Sequence, residues 1–576
     1  MARVAQKRAN REQAHTVGVV TCGAPRSERS QALVPAAIFV ALLLGLYQVL
    51  LARQYMDPDG MAYLDMGDRI WRDGWSGAIN GYWSPLYPAT VGAVLKLVHP
   101  PMQYEFVLVH LVNFAIYAFA LFAFKFFWDG AMLLRLPNLA ESPDDDRRRG
   151  AWVLLGYTLF VWASLTLTGL DTVAPDLLVT AFVYLAAGTL LRIQAADRSV
   201  RNYVLLGLAL GLGYLTKAAM FPLGIVFLGV ALLAPGGLRK SAPRILAAAM
   251  LFLAISAPWI IALSRMAGHP TFGETATLNY AWQVSGVVQY GHLPPGFNLL
   301  HPVHTVYDVP PVYQFSGPVR GSYPFWSDPS YWLAGVKPHF RLGGQIHSLA
   351  VNVGHLLTLS GHLVWVAVCL FLFLLGPGMR GLRRSVTRMW VLLLPSIAAV
   401  GMYALVHLEG RYVAGFLVMF WAAILLAAAG ASAFKVRGIL LPLSISMAAL
   451  LVCSVLVDST VMTMKRRATG YDGEPDLQAA LALRQFGLRA GDDVASIGDT
   501  YKAYWLRLDR LTAIAEITRE DAPRFWAAGP ATQARIIGAF GRTGARAIIA
   551  ESAPTPNASS GWQQLGATRY YVYQLR

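Results

Sequence analysis

Cysteines and charged residues are both scarce in this 576-residue chain. Charged residues make up 14% of it, whereas ordinary globular domains carry about 25%. The 3 cysteines, Cys22, Cys369 and Cys453, are scattered, and no Cys-x-x-Cys spacing occurs. The sequence therefore indicates neither a disulfide framework nor a zinc site.

Hydrophobic residues reach 56% of the chain, and the mean hydropathy is positive. Apolar runs of about 18 residues or more recur, which is the length that crosses a bilayer core. The sequence predicts a mostly α-helical, polytopic membrane protein with about eleven transmembrane helices. The predicted spans are 33–52, 105–127, 151–170, 174–191, 203–215, 220–234, 245–264, 347–376, 389–406, 412–431 and 438–457.

The formal net charge of +16 does not indicate a nucleic-acid partner. The basic residues lie mainly in short loops between apolar runs, where they report topology. Their excess in alternate loops predicts a cytoplasmic N-terminal tail (1–32) in a multi-pass protein of the cytoplasmic (inner) membrane. No signal-peptide cleavage pattern follows this tail, so we expect the first apolar run to act as an anchor. An odd number of spans places the C-terminal domain outside the cytoplasm.

The remaining chain divides into a transmembrane domain (33–460) and a C-terminal α/β domain (468–576). The transmembrane domain has two long outer loops, 53–104 and 265–346, and the second is rich in proline, histidine and aromatic residues. Short strands alternate with helices in the C-terminal domain, a pattern typical of α/β folds. The strands are predicted at Asp493–Gly498, Leu511–Ile517, Ala545–Ala550 and Arg569–Tyr573.

Four carboxylates follow the first span, and acidic residues beside a bilayer often mark function. Asp57 and Pro58 predict a helix start, as N-cap and first helical residue, and Asp73-Gly74 predicts its end. We expect an amphipathic helix at the membrane surface, on the outer face. Asp65 and Asp68 are predicted to pair with Arg69 and Arg72, four residues further on. Asp57 suits either a cap or a functional role, and Asp59 has the weakest structural explanation.

Aromatic residues follow closely, in the segment 79–88. Tyr82 and Trp83 suit the binding of a sugar, whose CH face stacks on a ring while its hydroxyls form hydrogen bonds. They equally suit the aromatic belt at a membrane surface.

Taken together, these features resemble the GT-C class of integral membrane glycosyltransferases, which includes the protein O-mannosyltransferases and the lipid A aminoarabinose transferase. The resemblance covers about residues 33–460 and lies in the order and common outer location of short motifs. They are Asp57-Pro-Asp59-Gly-Met-Ala-Tyr-Leu-Asp65, Tyr82-Trp-Ser-Pro-Leu-Tyr-Pro88, Asp171-Thr-Val-Ala-Pro-Asp176, Gly213-Tyr-Leu-Thr-Lys217 and His407-Leu-Glu-Gly-Arg-Tyr412.

The resemblance implies a polyprenyl-phosphate sugar as donor and an outer-loop aspartate as base toward a lipid, glycan or protein acceptor. The base is Asp59 or Asp57, with Asp59 preferred because it precedes Gly60-Met-Ala-Tyr63. The developing phosphate charge needs cations, and Lys217 and Arg411 stand alone at outer span ends. Inversion follows if the lipid phosphate leaves from the opposite face, for a hexosyl or pentosyl group alike. Tyr82, Trp83, Asp171 and Tyr412 are the further substrate-binding candidates.

A metal site is not assigned by the sequence. His301-Pro-Val-His304, with Asp308 nearby, lacks helical spacing and the usual zinc signatures, so ordinary loop histidines are favoured over ligands. His292 and His339 are treated in the same way. Two outer carboxylates are still compatible with one Mg²⁺ or Mn²⁺, and the resembling class contains metal-dependent and metal-independent members.

Two other functions compete with this interpretation. A lipid or polysaccharide transporter or flippase would suit eleven spans, but transporters place ionisable groups near the midplane and often contain related halves. A non-catalytic envelope scaffold is the second alternative, and it would lack a cation facing Asp59. The identities of the sugar and acceptor are not determined by the sequence.

Overall fold

The computed structural model describes residues 28–135, 143–195, 199–233, 238–289, 292, 297–359, 361–374, 386–387, 389–429, 437–551 and 561–575. Most of these residues are helical. The helices of the first half are α1 (Glu28–Ala52), α2 (Pro58–Asp73), α3 (Leu86–Val98), α4 (Met102–Arg135), α5 (Pro143–Val161), α6 (Asp176–Gln194), α7 (Val200–Thr216), α8 (Met220–Leu233), α9 (Leu238–Ala267) and α10 (Thr275–Tyr280). A 3₁₀ turn (Trp75–Ala78) and two π-helical segments (Trp162–Thr168 and Ala281–Ser285) lie between them.

The helices of the second half include the last spans and those of the C-terminal domain. They are α11 (Pro324–Ser327), α12 (Pro329–Trp332), α13 (Leu342–Thr358), α14 (His362–Leu374), α15 (Trp390–Ala404), α16 (Gly410–Ala429), α17 (Arg437–Ala468), α18 (Glu474–Gln485), α19 (Tyr504–Leu508), α20 (Ala522–Ala527) and α21 (Pro530–Arg542).

Within the described ranges, seven helices are long and apolar enough to cross a membrane. They coincide with predicted spans, which confirms a polytopic membrane fold. The other predicted spans correspond to shorter apolar helices (α7, α8 and α15) and to the pair α13 and α14, which is bent by 70°. The membrane core is closed by aromatic packing between α4, α5 and α6, where Phe124 stacks on Trp128 and contacts Tyr157 and Tyr184 edge-on.

Helix α2 begins and ends as the sequence predicts. The Asp57 side chain accepts a hydrogen bond from the Gly60 amide, Pro58 is the first helical residue, and Gly74 ends the helix with a φ of 74°. The prediction of a helix at the membrane surface is wrong in one respect, because the segment from Gly60 to Gly67 is buried within the protein.

Two glycines allow α2 and α3 to approach closely. A Cβ added at Gly92 would lie 2.8 Å from the backbone of Gly67, whereas one added at Gly229 in α8 would meet nothing within 4 Å. Because real Cβ atoms require a larger separation from backbone, the two helices would have to move apart to accept a side chain at Gly92.

Alanine at Gly92 is therefore expected to destabilise the protein by about 1–3 kcal/mol through overpacking. Alanine at Gly229 is the matched control, and its lower backbone entropy should raise stability by about 0.4–1 kcal/mol. Thermal unfolding of the two purified variants in detergent measures the difference. An unchanged or higher unfolding temperature for Gly92→Ala would contradict the close contact.

A seven-stranded mixed sheet forms the centre of the C-terminal domain, with the order β1-β2-β4-β3-β5-β7-β6. The strands are β1 (His304–Asp308), β2 (Pro311–Gln314), β3 (Asp493–Gly498), β4 (Thr512–Thr518), β5 (Ala547–Glu551), β6 (Gln563–Gln564) and β7 (Tyr570–Gln574). Strands β3, β4 and β5 are parallel, and β7 pairs antiparallel with β5. All four predicted strands are present within a few residues of their predicted positions.

The hairpin β1-β2 comes from the outer loop 265–346 and was not predicted. Strand β2 pairs antiparallel with β4, through Tyr313 opposite Glu516. The loop is thus ordered by the C-terminal domain and extends its sheet.

The predicted ion pairs within α2 are wrong for Asp65 and Asp68. Both carboxylates instead bind Arg507 of α19, whose Nη1 lies 3.1 Å from Asp65 Oδ1 and 2.6 Å from Asp68 Oδ2. Glu105 of α4 binds the same guanidinium at 2.9 Å. Arg507 is 1% exposed and Asp65 is 6% exposed. Burial explains the difference, because a desolvated arginine is stable only among carboxylates that accept its N–H groups.

Candidate active site

A cavity of about 230 Å³ lies between the start of α2, the α7–α8 junction, the end of α15 and the start of α16. Its wall combines carboxylates, cations and aromatic rings with apolar residues. The polar and aromatic members include Asp59, Tyr63, Tyr82, Trp83, Asp176, Lys217, Asn279, Tyr403, His407, Arg411 and Tyr412. Six of the eight predicted site residues therefore line one cavity.

Asp59 reaches this cavity from the first turn of α2. Its carboxylate is partly exposed and accepts a hydrogen bond from Arg411, with 3.1 Å between Oδ2 and Nη2. Asp57 and Pro58 fix the direction of this turn, because the cap and the proline ring set the backbone just before it. The side chain of Asp59 is thereby held at the N-terminal end of α2.

Arg411 lies in the first turn of α16 and connects three carboxylates. Besides Asp59, it donates from Nε to Glu409 Oε2 at 2.6 Å and lies 3.9 Å from Asp176. Glu409 also contacts His407 at 3.1 Å. Burial opposes ionisation of Glu409, but the hydrogen bonds from His407 and Arg411 lower its pKa to about 2. Glu409 is therefore an anion that orients Arg411, and each of its oxygens already has a hydrogen-bond partner.

Lys217 ends α7 and is partly buried. Its Nζ lies 2.6 Å from Asp176 Oδ1 and 3.5 Å from the centre of the Tyr412 ring. This position lies beside Arg411, the other predicted phosphate ligand, in the lining of the same cavity. A lysine held by one carboxylate and one aromatic face keeps further N–H donors for a ligand.

The aromatic residues Tyr82 and Trp83 are held by a turn rather than by a helix. The Asn80 side chain accepts hydrogen bonds from both of their amides at 2.9 Å. The two rings meet edge to face at 4.5 Å, and Trp83 packs in the same way on Tyr63 at 4.8 Å. These rings are therefore fixed parts of the cavity wall, not side chains of a membrane-surface belt.

Asp57 and Asp171 do not line this cavity. Both oxygens of Asp57 accept backbone N–H groups, from Gly60 at 2.8 Å and from Val173 at 2.6 Å. Burial, together with the neighbouring Asp59, raises the pKa of Asp57 to about 7. Asp57 thus serves as a cap that also fastens α2 to the turn before α6.

Asp171 lies in a second, polar cavity of about 380 Å³ near the ends of α1 and α17. Its Oδ2 lies 2.6 Å from Nη2 of Arg466. The prediction that it binds substrate together with Lys217 and Arg411 has no support from this position.

Asp176 is quoted in a motif but is not among the predicted site residues. In the structure its carboxylate lies between Lys217 and Arg411 and is 2% exposed. Glu409 and Tyr63 were quoted in motifs without a role. The available signal for Asp176 was its position at the start of an otherwise apolar span, where a carboxylate is expected to have a partner.

The loop histidines have ordinary structural partners. His301 stacks on Tyr331 with 4.0 Å between ring centres, and His292 contacts Glu516 at 2.8 Å. Among the described residues, no group of three or more His, Cys, Asp or Glu side chains is arranged to hold a metal ion.

Comparison with known proteins gives one matching family and several similar solved structures. The family described as dolichyl-phosphate-mannose-protein mannosyltransferase matches residues 148–261. ArnT from Cupriavidus metallidurans in the apo state is similar in structure, with a TM-score of 0.51 and 13% identity over 95% of this chain and 98% of that one. A search of curated proteins gave no match.

Two further solved structures are more distantly similar. ArnT from Cupriavidus metallidurans bound to undecaprenyl phosphate has a TM-score of 0.45 and 13% identity, over 94% of this chain and 97% of that one. The oligosaccharyltransferase of Archaeoglobus fulgidus has a TM-score of 0.40 and 12% identity, over 90% of this chain and 69% of that one.

The fold is that of the GT-C integral membrane proteins, since the similarity to apo ArnT extends over nearly the whole of both chains. The resemblance noted in the sequence is thereby confirmed. Together with the matching family, this fold indicates a membrane glycosyltransferase. The transporter and scaffold alternatives lose support accordingly.

Proposed function

We propose that this protein moves a sugar from a polyprenyl-phosphate donor to an acceptor hydroxyl at the outer face of the cytoplasmic membrane. The observation that carries the proposal is the shared cavity, in which Asp59 faces the cations Lys217 and Arg411. The family that matches residues 148–261 is described by a dolichyl-phosphate sugar, which supports a lipid-linked donor.

Asp59 is the proposed base. The acceptor oxygen attacks the anomeric carbon, its proton passes to the Asp59 carboxylate, and the bond from that carbon to the phosphate oxygen breaks. Polyprenyl phosphate leaves with the bonding electrons. A positioned carboxylate typically contributes a factor of about 10²–10⁴ to such a proton transfer. Asp57 is not proposed as base, because both of its oxygens already accept backbone N–H groups.

Lys217 and Arg411 are the proposed ligands of the phosphate. Arg411 offers a planar fork of N–H donors that matches phosphate oxygens, and Lys217 adds a compact charge. Because Arg411 also donates to Asp59, a phosphate that accepts from Arg411 competes with that hydrogen bond. Phosphate binding would then free Asp59 to take the acceptor proton.

The apolar part of the cavity wall suits the lipid part of such a donor. It is formed by small and apolar side chains, which favour an isoprenoid chain over water. They are Ala218, Ala219, Pro222, Phe272, Met402 and Val406. Tyr82, Trp83 and Tyr412 supply the rings on which the CH face of a sugar can stack.

The proposed location outside the cytoplasm rests on the distribution of lysine and arginine among the loops. The N-terminal tail is proposed to be cytoplasmic. Helix α2 connects the cavity to the C-terminal domain, since Asp59 near its start binds Arg411 and Asp68 further along binds Arg507. The C-terminal domain is therefore proposed to lie on the same side of the spans as the cavity.

A divalent metal between the outer carboxylates does not fit the donor set. The two oxygens of Asp57 accept from backbone amides, and Asp59 is bound to Arg411. Metal ligands of this type need free carboxylate oxygens. No step is therefore assigned to Mg²⁺ or Mn²⁺.

Incubation of the purified protein with defined polyprenyl-phosphate sugars tests the proposal. Release of polyprenyl phosphate in the presence of acceptor, dependent on Asp59, is the expected result. Release that persists in the Asp59→Asn variant at the wild-type rate would refute the assigned mechanism.

Lys217→Gln is expected to lower transfer about 10²-fold or more, because one preorganised donor to the developing phosphate charge is lost. The substitution also leaves Asp176 buried without its closest cation. The double variant Lys217→Gln/Asp176→Asn should therefore recover thermal stability without recovering transfer. Lys125→Gln, which removes a lysine paired with Asp129 elsewhere on the protein, is the control. Recovery of activity in the double variant would show that Lys217 serves only to neutralise Asp176.

A further inference from the structure

A third and larger cavity lies at the other end of α2. It is a groove of about 920 Å³ between α2, α3, the outer loop near Gly321 and the C-terminal domain. Basic side chains enter it from all of these elements: Arg69, Arg72, Lys96, Arg320, Arg507 and Arg510. This basic groove has no role in the mechanism above.

The carboxylates of the basic groove are already paired. Asp65 and Asp68 bind Arg507, and Asp65 also accepts hydrogen bonds from the amide and hydroxyl of Ser322. Asp68 additionally lies 3.6 Å from Arg510. These two acids therefore offer little compensation to the other cations of the groove.

Arg72 and Arg320 have partners of their own, Asp73 and Asp493, on the rim. Arg69 and Lys96 form no direct ion pair among the described residues, although the charge of Arg69 also acts on the nearby carboxylates of Asp73 and Asp328. Lys96 donates to the Trp71 carbonyl at 2.6 Å and lies 5.9 Å from the centre of the Trp71 ring.

Three guanidinium nitrogens have no acceptor in the part of the chain that the structure describes. They are Nε and Nη2 of Arg69 and Nη2 of Arg507, and all three are buried. A buried charged donor without an acceptor is costly, so native proteins supply one from protein, water or a bound ion. Phosphate and carboxylate oxygens match such forked donors.

An aromatic surface accompanies these donors. Trp71 is 43% exposed and lines the same groove. Its indole N–H donates to the Ala89 carbonyl at 2.8 Å, which fixes the ring. A fixed, exposed ring beside unpaired cations suits a ligand with both an apolar CH face and an anionic group.

We propose that the basic groove binds a saccharide that carries a phosphate or carboxylate group, held by Arg69 and Lys96 and stacked on Trp71. Asp59 and Arg69 are about 15 Å apart along α2 at 1.5 Å per residue. The groove therefore holds a part of the ligand remote from the reacting atoms. That this ligand is the acceptor of the transferred sugar rests on the proposed function, whereas the binding itself does not.

Calorimetric titration of the full-length protein in detergent tests the binding. The probes are glucose 6-phosphate, glucuronic acid, glucose and inorganic phosphate. We expect the two anionic sugars to bind more tightly than glucose and inorganic phosphate, and their affinity to fall with added salt. Arg69→Gln and Lys96→Gln should each weaken binding of the anionic sugars about tenfold or more, by loss of a charge-assisted contact.

Two variants separate the possible results. Arg524→Gln, which removes an exposed arginine paired with Asp521, should bind the anionic sugars like the wild type. Asp59→Asn should also bind them unchanged while losing transfer, so failure of the proposed function leaves this site intact. Equal binding of glucose 6-phosphate and inorganic phosphate would overturn the saccharide assignment. Lack of anionic-sugar binding, or unchanged affinity in both Arg69→Gln and Lys96→Gln, would overturn the site.

Discussion

Sugar transfer is expected to fall about 10²–10⁴-fold when Asp59 is replaced by asparagine, because the amide cannot accept the acceptor proton. The side chain keeps its size, and its amide oxygen can still accept from Arg411. Donor affinity and thermal stability should therefore change little. Initial rates of polyprenyl-phosphate release, with donor binding measured separately, test this expectation.

Asp57→Asn is the matched control two residues away. Asparagine is as good an N-cap as aspartate, but only one of its side-chain atoms accepts hydrogen bonds, and Asp57 has two backbone donors to satisfy. We expect about 1–3 kcal/mol lower stability from the buried amide left unpaired, with the turnover of the folded fraction largely kept. The reverse pattern, in which Asp57→Asn abolishes turnover and Asp59→Asn does not, would assign the base to Asp57.

Replacement of Arg507 by methionine is expected to cost about 3–5 kcal/mol of stability, because it leaves Asp65 and Glu105 buried without their central cation. The C-terminal domain should then separate from α2. Thermal unfolding and limited proteolysis between the two domains measure the effect. Arg524→Met, at an exposed ion pair, is the control and should cost less than about 1 kcal/mol.

The difference in stability between wild type and Arg507→Met should also depend on pH. Burial raises the pKa of Asp68, but the charge and hydrogen bond of Arg507 outweigh this effect. The pKa of Asp68 is therefore below its ordinary value of 3.8. A carboxyl group with a lowered pKa in the folded protein stabilises it above its unfolded pKa, and this contribution disappears as the pH falls through the folded value. The difference in free energy of unfolding between the two proteins should therefore become smaller below about pH 4. A difference in free energy of unfolding that stays constant as the pH is lowered, until the protein unfolds in acid, would contradict the assigned ion pairs.

Local signals predicted much of the scaffold and part of the site. The apolar runs located the spans, and Asp57, Pro58 and Gly74 marked the ends of α2 because capping and backbone conformation depend only on neighbouring residues. The cations Lys217 and Arg411 were identified because both stand alone at outer span ends, where the phosphate implied by the resemblance needs positive charge. The sequence did not indicate which carboxylate pairs with each of these two cations.

The residues that contact α2 show why the other contacts could not be predicted from the sequence. Asp65 and Arg69 have ideal spacing for an ion pair on an exposed helix. In the structure, however, Asp65 is buried and pairs with Arg507, which is distant from it in the sequence. Asp176 likewise owes its role to two cations on other helices. Asp57 is not our proposed base because both of its oxygens accept hydrogen bonds from backbone amides. No sequence pattern identifies the Val173 amide as one of these two donors.

The sequence by itself determined the membrane-spanning architecture, the capped helix that carries Asp59, and the presence of cations near span ends, because periodicity, capping and the cost of charge in lipid act over short stretches of chain. Only the tertiary structure decided that Asp59, Lys217 and Arg411 share one cavity, that Asp171 lies elsewhere, and that the loop 265–346 contributes strands to the C-terminal sheet. These depend on contacts between residues far apart in the chain, where burial and the need to satisfy every buried charge select the partners.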